Sequence, residues 1–148
     1  MDFEAARAKM VDTQVRTTDV TSHSVLTAFL TVPRETFVPE KAKLLAYIDN
    51  DVEISAAAPG KPARFLMEAS PLAKLLQLAA ITKDDFVLEV GCGTGYTSEL
   101  LSIIAGSVIA LECDEALAAE AKAKLADYAK VEVVTGPLEK GYAAGAPY

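Results

Sequence analysis

Three glycines at alternate positions, placed between an apolar run and a helical stretch, constrain the fold of this chain more than any other feature. The run at 86–90 (FVLEV) is short and rich in β-forming residues, and Gly91, Gly93 and Gly95 follow it directly. At such a strand-to-helix turn the chain reverses tightly, takes up positive φ angles and lets a ligand touch bare backbone. The pattern predicts a nucleotide-like cofactor at the carboxyl end of a strand.

Two further β-rich runs follow, at 107–112 (SVIALE) and 131–135 (VEVVT), with a helical stretch before each. Strands that alternate with helices predict βαβ units and a parallel sheet, whose right-handed crossovers bring the strand ends to one edge. We therefore predict an α/β fold in two parts, a helical region at 1–82 and a sheet-forming βαβαβ region at 83–148.

The apolar spacing before residue 83 is helical. It predicts a first helix over 3–15 with Asp2 as cap, and a second that starts at residue 21 or 22 and cannot pass Pro33. A further helical turn is predicted at 41–47. Residues 49–67 are predicted to form a loop with short strands, one of them near 52–55.

One more helix is predicted just before the first strand of the sheet. Pro71 suits the first position of a helix, where its missing N–H is not needed, and Ser70 is placed to cap it. The residues expected to face the core are Leu72, Leu75, Leu76 and Leu78.

Composition excludes several classes of protein. A chain of 148 residues with 51% hydrophobic content has enough apolar surface for a core, and its net charge of −7 opposes nucleic-acid binding. The sequence has no signal-peptide pattern and no apolar run of membrane-spanning length, so we expect a cytoplasmic protein without membrane contact. Cys92 and Cys113, with no histidine near either, predict two reduced buried thiols rather than a metal or disulfide site.

Two acidic residues narrow the choice of cofactor. Glu89 lies two positions before Gly91, and Glu112 ends the second strand, where a carboxylate can accept hydrogen bonds from both hydroxyls of a ribose. The glycine spacing is G-x-G-x-G with Tyr96 next, whereas NAD-binding turns have G-x-G-x-x-G, and no G-K-[ST] follows for a P-loop. The combination favours S-adenosyl-L-methionine (SAM).

The helix opening at 94–97 is expected to offer free backbone N–H groups to a carboxylate or phosphate. Within the turn, Cys92 is expected to fill space, because no base or cation accompanies it, and His23 is expected at the surface or as a cap. The predicted cofactor-binding residues are Glu89, Gly91, Cys92, Gly93, Gly95, Glu112, Cys113 and Gly136.

The segments VLEVGCGTGYTSELL (87–101) and VIALE (108–112) resemble the first two SAM-binding motifs of class I methyltransferases, and those of protein-L-isoaspartate O-methyltransferases in particular. The segments MVDTQVR, VLTAFLTVPRETFVPE and AYIDNDVEI resemble the helical N-terminal region of that family, and VEVVTGPLEKGYAAGAPY resembles its third strand and the approach to its fourth. The resemblance implies the front half of a Rossmann-like sheet. It also implies methyl transfer from SAM to isoaspartyl carboxylates of damaged proteins or peptides.

The chain departs from the family pattern at two places. The family has G-Q-T-I-S-Q-P before the helix that precedes the first strand, and its Thr and Ser help to hold the substrate. Aligned on Pro71, this chain has Met67 and Ala69 there, and Ser70 is the only hydroxyl nearby, one position out of register. No catalytic residue is therefore assigned. After the third strand the family has Gly-Asp, whose Asp approaches the adenine, whereas here Gly136 is followed by Pro137.

The family's sheet continues beyond the strand that would begin near Tyr148, so the strand at 86–90 would keep one uncovered edge. We expect either a fragment of a longer chain or a second chain over this edge, self-association included. Two alternatives remain open. One is a SAM-binding relative without isoaspartyl methyltransferase activity that acts through protein contacts, and the other, ranked last, is an NAD-binding domain.

Overall fold

The computed structural model describes residues 1–148, which divide into two units, Met1–Ala80 and Ile81–Tyr148. The first unit is helical and carries one two-stranded hairpin, and the second contains a parallel sheet with two helices. No helix in either unit combines the length and the hydrophobicity that crossing a membrane requires.

The first predicted helix changes its hydrogen bonding halfway. Helix α1 (Phe3–Met10) begins at Asp2, whose Oδ1 accepts from the Ala5 N–H at 3.1 Å. A π-helical turn (Val11–Val15) and a 3-10 turn (Arg16–Thr18) continue it. Within this stretch the Thr13 hydroxyl donates to the Lys9 carbonyl at 2.8 Å, a bond that competes with the regular backbone ladder. The predicted span is therefore helical, but only its first part is an α-helix.

The second helix, α2 (His23–Thr31), agrees with the prediction at both ends. Ser22 caps it through its Oγ, which accepts from the Val25 N–H at 3.4 Å, and the helix ends before Pro33. His23 is exposed at the first helical position, as expected. Two 3-10 turns follow, Arg34–Phe37 and Glu40–Leu45.

A polar cluster around the Tyr47 hydroxyl joins three segments of the first unit. This oxygen accepts from Arg7 Nε at 3.0 Å and from the Arg34 backbone N–H at 3.1 Å, and its proton is donated to Glu35 Oε2 in a short hydrogen bond. Arg7 also pairs with Glu35 at 3.5 Å. The cluster gives a physical reason for the V-P-R-E and A-Y segments, since each supplies a member.

The predicted loop at 49–67 contains an antiparallel hairpin. Strand β1 (Val52–Ser55) pairs with strand β2 (Arg64–Leu66), with Val52 opposite Leu66 and an irregular register between Glu53 and Ser55. Val52 and Leu66 are buried.

Helix α3 (Ala69–Leu78) corrects the prediction for its start and its buried face. Glu68 is the N-cap, so Ser70 and Pro71 are the second and third helical residues, not the cap and the first residue. Proline is tolerated there because the first N–H groups of a helix have no partner within it. Leu75 and Leu78, which were predicted to face the core, are 53% and 82% exposed. Small residues occupy part of the buried face instead. That face consists of Ala69, Leu72, Ala73 and Leu76.

The second unit contains the predicted parallel sheet. Strands β3 (Phe86–Val90), β4 (Ser107–Glu112) and β5 (Val131–Thr135) have the predicted bounds, and they are connected by α4 (Tyr96–Ile104) and α5 (Glu115–Lys124). The strand order is β3-β4-β5, so β4 is the middle strand and β3 lies at one edge. Accordingly, β4 is buried from Val108 to Glu112, whereas Val90 at the end of β3 is 52% exposed.

Candidate functional site

Backbone hydrogen bonds fasten the turn after β3 to the end of β4. The N–H groups of Gly91 and Cys92 both donate to the Leu111 carbonyl, at 2.8 and 3.0 Å, and the Gly95 N–H donates to the Cys92 carbonyl at 3.0 Å. These amides are therefore engaged within the protein. The prediction of free N–H groups over 94–97 is wrong for Gly95.

The three glycines of the turn have the positive φ angles that the sequence predicted. The values are 84° at Gly91, 59° at Gly93 and 101° at Gly95. A Cβ on Gly95 would lie 2.9 Å from Leu125 Cδ1, so this glycine makes room for a core side chain rather than for a ligand.

Glu112 lies against the turn with its carboxylate enclosed. Its Oε1 accepts from the Gly93 N–H at 2.8 Å, its Oε2 accepts from the Asp114 N–H at 2.8 Å, and the residue is 0% exposed. Glu112, which was predicted to end the second strand of the sheet, is therefore in contact with the glycine turn. A carboxylate has about four acceptor positions, so these two amides by themselves do not fill it.

Glu89 is the second carboxyl group at this edge of the sheet, and it is only half-buried. The Ser98 hydroxyl donates to its Oε1 at 2.5 Å. Burial raises the pKa of Glu89 to about 7, the Ser98 hydrogen bond opposes the rise, and the charge of Glu112 adds to it. A side chain at this edge can therefore exchange a proton near neutral pH.

Ser98 is a site residue that the sequence interpretation missed. It lies in the first turn of α4 and is 0% exposed. A hydroxyl that follows a glycine turn within the first helical turn, with an acid at the end of the preceding strand, is the signal that could have identified it. In the sequence this serine reads only as a helix residue.

The remaining predicted cofactor residues lie around the same strand ends. The Gly136 N–H donates to the Glu112 carbonyl at 3.0 Å, which ties the chain after β5 to β4. Cys92 is 6% exposed and lies in a small apolar cluster with Ala110, Ala121 and Leu125. The expectation of two buried thiols is wrong for Cys113, which is exposed just after β4 ends.

The residues at the family's hydroxyl positions belong to the first unit. Met67 follows β2, is 41% exposed, and its carbonyl accepts from Arg34 Nη2 at 2.9 Å. Ala69 opens α3 and is 1% exposed, and Ser70 follows it inside the helix. Neither Met67 nor Ala69 can donate a side-chain hydrogen bond to a substrate.

Comparison with known proteins identifies the family. A sequence profile of Protein-L-isoaspartate(D-aspartate) O-methyltransferase (PCMT) matches residues 5–148. A protein-L-isoaspartate O-methyltransferase from Koribacter versatilis (strain Ellin345) is 36% identical over 148 residues, which is 99% of this chain and 64% of that protein. Across the curated relatives compared, this chain spans between 58% and 66% of their length.

Solved structures agree with this assignment. A protein-L-isoaspartate O-methyltransferase structure superposes with a TM-score of 0.84 at 25% identity, covering 96% of this chain and 45% of that one. A Plasmodium falciparum structure is described as a member of the same family, in complex with S-adenosyl-L-homocysteine. It superposes with a TM-score of 0.67 at 16% identity, and the match covers 90% of this chain and 62% of the Plasmodium chain. The second match supports the Rossmann-like fold alone. Because the profile matches almost every residue, this chain belongs to the protein-L-isoaspartate(D-aspartate) O-methyltransferase family.

Proposed function

We propose that this chain forms the cofactor-binding part of a SAM-dependent methyltransferase that methylates isoaspartyl carboxylates in damaged proteins. The observation that carries the proposal is the family match over residues 5–148, together with the Glu112 carboxylate 2.8 Å from the Gly93 N–H at the predicted cofactor turn. The chain spans 64% of the length of the Koribacter relative. Its methyltransferase activity, its substrate and its cofactor are therefore part of this proposal.

The charges around the turn fit SAM. Glu89 and Glu112 are acidic, and no lysine or arginine occurs at 86–96 or 107–116. SAM has a cationic sulfonium, an ammonium group and an unphosphorylated ribose, all of which carboxylates can receive as acceptors or counter-charges. A dinucleotide or a nucleoside triphosphate would bring phosphates close to Glu89 and Glu112, and neither the turn nor the end of β4 supplies a cation to offset them.

Glu112 is proposed to receive the ribose hydroxyls. Its oxygens already accept from the Gly93 and Asp114 amides, and the residue has no exposed surface. A ribose hydroxyl therefore reaches it only when the turn yields slightly and the carboxylate shares its remaining lone pairs. Glu89, which is half-buried beside Gly91, is the more accessible acid.

SAM, when bound, supplies a methyl group activated by its sulfonium. An isoaspartyl carboxylate is already ionised at neutral pH, so the transfer needs no general base from the protein. What the residues must provide is alignment of the carboxylate with the methyl group and exclusion of water. The loss of hydroxyls at Met67 and Ala69 would therefore weaken substrate positioning, and it would leave proton transfer unaffected.

A second candidate function is a SAM-binding protein without isoaspartyl methyltransferase activity, acting through protein contacts. Met67 and Ala69 favour it, because a methyl acceptor at their position would find no hydrogen-bond donor among these side chains. Pro137, in place of the family's Asp, weakens adenine recognition and points the same way.

The two candidates are separated by incubating the chain with tritiated SAM and an isoaspartyl peptide, with the matching aspartyl peptide as control. Base-labile label on the isoaspartyl peptide alone supports the first function. SAM binding in calorimetry without label supports the second, and no SAM binding overturns both.

A variant pair tests the missing hydroxyls directly. Met67→Thr combined with Ala69→Ser restores both, whereas Met67→Val combined with Ala69→Ser has nearly the same shape at position 67 without its hydroxyl. Label should increase in the threonine pair relative to the valine pair. Equal labelling would show that position 67 does not hold the acceptor.

A further inference from the structure

One peptide group, the one between Met67 and Glu68, is held by side chains at both of its polar atoms. Its carbonyl oxygen, on Met67, accepts from Arg34 Nη2 at 2.9 Å, and its N–H, on Glu68, donates to Asp51 Oδ1 at 2.8 Å. The peptide bond is trans, so its carbonyl and its N–H point to opposite sides of one rigid plane. Two bonds on opposite sides therefore fix the orientation of that plane.

The two side chains that hold this peptide group come from separate segments of the first unit. Arg34 opens a 3-10 turn and is 0% exposed, and its Nε also donates to the Ala46 carbonyl at 2.6 Å. Asp51 directly precedes β1 and is exposed. Arg34 is therefore anchored in the core, whereas Asp51 can be replaced without opening the core.

The held peptide group joins the end of β2 to the start of α3. Met67 follows the last residue of β2, and Glu68 is the N-cap of α3, with no capping hydrogen bond from its own side chain. The orientation of the peptide plane sets ψ of Met67 and φ of Glu68, the angles by which the chain leaves the strand and enters the helix. Arg34 and Asp51 thus fix the course of the backbone that carries the side chains of Met67 and Ala69.

We propose that Arg34 and Asp51 are positioning residues for the methyl acceptor, and that they act by holding the peptide group between Met67 and Glu68. The inference rests on the proposed function, in which the acceptor lies against residues 67 and 69. The side chains at these two positions donate no hydrogen bond, so polar contacts with them cannot draw an acceptor into line. The alignment that methyl transfer needs must then be built into the backbone before the acceptor binds.

The first test is hydrogen exchange of the Glu68 amide, measured by NMR without any ligand. Asp51→Ala removes the acceptor of this N–H, so its exchange should become faster by about tenfold, while amides inside α3 keep their wild-type rates. Asp51→Asn retains a side-chain oxygen that can accept, and it should restore most of the protection. Glu53→Ala removes an exposed acid two residues away and is the matched control. Equal exchange at Glu68 in wild type and Asp51→Ala would overturn the proposal.

The second test is the steady-state rate at which tritiated SAM labels an isoaspartyl peptide. Asp51→Ala should lower kcat by about tenfold or more, because the acceptor and the methyl group are no longer aligned. The KM for SAM should stay unchanged, because Asp51 belongs to the first unit and the cofactor turn to the second. Asp51→Asn should recover most of the rate, and Glu53→Ala should match wild type. A fall in rate that the unfolded fraction in urea denaturation fully explains would overturn the positioning role.

Failure of this inference differs visibly from failure of the proposed function. Label on the peptide at the wild-type kcat in Asp51→Ala would overturn the positioning role and leave the function intact. No label from the wild-type chain would overturn the function and the inference together.

Arg34→Lys tests the other bond to the same peptide group. It keeps the charge but lacks the planar fork that reaches the carbonyls of Ala46 and Met67 together, so it should lower kcat as Asp51→Ala does. A folded Arg34→Lys with the wild-type kcat would overturn the part assigned to Arg34. Should this variant fail to fold, the Asp51 variants decide the question, because both bonds hold one peptide group.

Discussion

The Gly93 N–H donates to the Oε1 of Glu112 at 2.8 Å, across 19 residues of sequence. This bond joins the glycine turn after the edge strand to the end of the middle strand of the sheet. Because the other oxygen of the same carboxylate receives the Asp114 N–H, one side chain organises the turn and the start of α5 together. Glu112 is therefore a structural element of the site before any ligand arrives.

Replacing Glu112 with glutamine should destabilise the fold. The side-chain amide introduced by Glu112→Gln would have to point its NH2 group at either the Gly93 or the Asp114 N–H, which leaves buried donors facing each other. We expect a loss of about 1–3 kcal/mol in the free energy of unfolding, measured by urea denaturation. Glu139→Gln, at an exposed position of the same unit, is the matched control and should change little. Equal effects of the two variants would contradict the bridging role.

Gly95→Ala should destabilise the chain for two separable reasons. The residue has φ 101°, and the new Cβ would lie 2.9 Å from Leu125 Cδ1. Gly60→Ala is the control, because Gly60 also has positive φ, at 75°, but open space around it. Thermal and urea unfolding should show about 1 kcal/mol for Gly60→Ala and at least about 1 kcal/mol more for Gly95→Ala. When Gly95→Ala is made in a Leu125→Ala background, it should cost less than it does in wild type, because the smaller side chain leaves space for the new Cβ.

Glu89→Gln should alter how stability depends on pH. The folded-state pKa of Glu89 is raised from 4.5 to about 7, so the folded protein holds a proton that the unfolded chain has lost between these values. The contribution of Glu89 to wild-type stability should therefore fall as the pH rises through this window and level off above it. The variant lacks that fall, so it should gain up to about 3 kcal/mol over wild type between about pH 4 and pH 8. Glu139→Gln should run parallel to wild type in the same denaturant series.

Tyr47→Phe should destabilise the first unit without touching the strand ends. The hydroxyl accepts from Arg7 and from the Arg34 backbone and donates to Glu35, and burial raises its pKa to about 12. Its removal leaves three polar groups short of a partner, for which we expect a loss of about 1–3 kcal/mol in urea unfolding. Tyr128→Phe, at an exposed tyrosine, is the control. A loss no larger than that of Tyr128→Phe would show that Arg7 and Glu35 are held by other contacts.

The three strands of the parallel sheet were predictable because each is a short run of β-forming residues that ends at an acid or is followed by a glycine. For the same reason the sequence placed Glu112 near the glycine turn, since neighbouring parallel strands end at one edge. The start of α3 was not predictable in this way. Ser70 and Pro71 are a favourable capping pair locally, and the helix nevertheless begins at Ala69, with alanines rather than leucines completing its inward face. Burial of small residues depends on tertiary packing, which local preference does not report.

The site shows the same division between local and tertiary information. Positive φ at the glycines follows from the sequence alone, but the partners of their amides do not. That Gly91 and Cys92 donate to Leu111, and that Ser98 reaches back to Glu89, depends on the distance between two strands and the helix packed on them. Those distances are set by the whole second unit.

The Leu111 carbonyl accepts two amides at once, from Gly91 and Cys92. A single oxygen is thus the common anchor for consecutive residues, and any movement that withdraws it releases both together. Their exchange with deuterium should consequently be correlated, opening as one event rather than as two. These two amides of the turn are therefore held by the neighbouring strand and not by the loop itself.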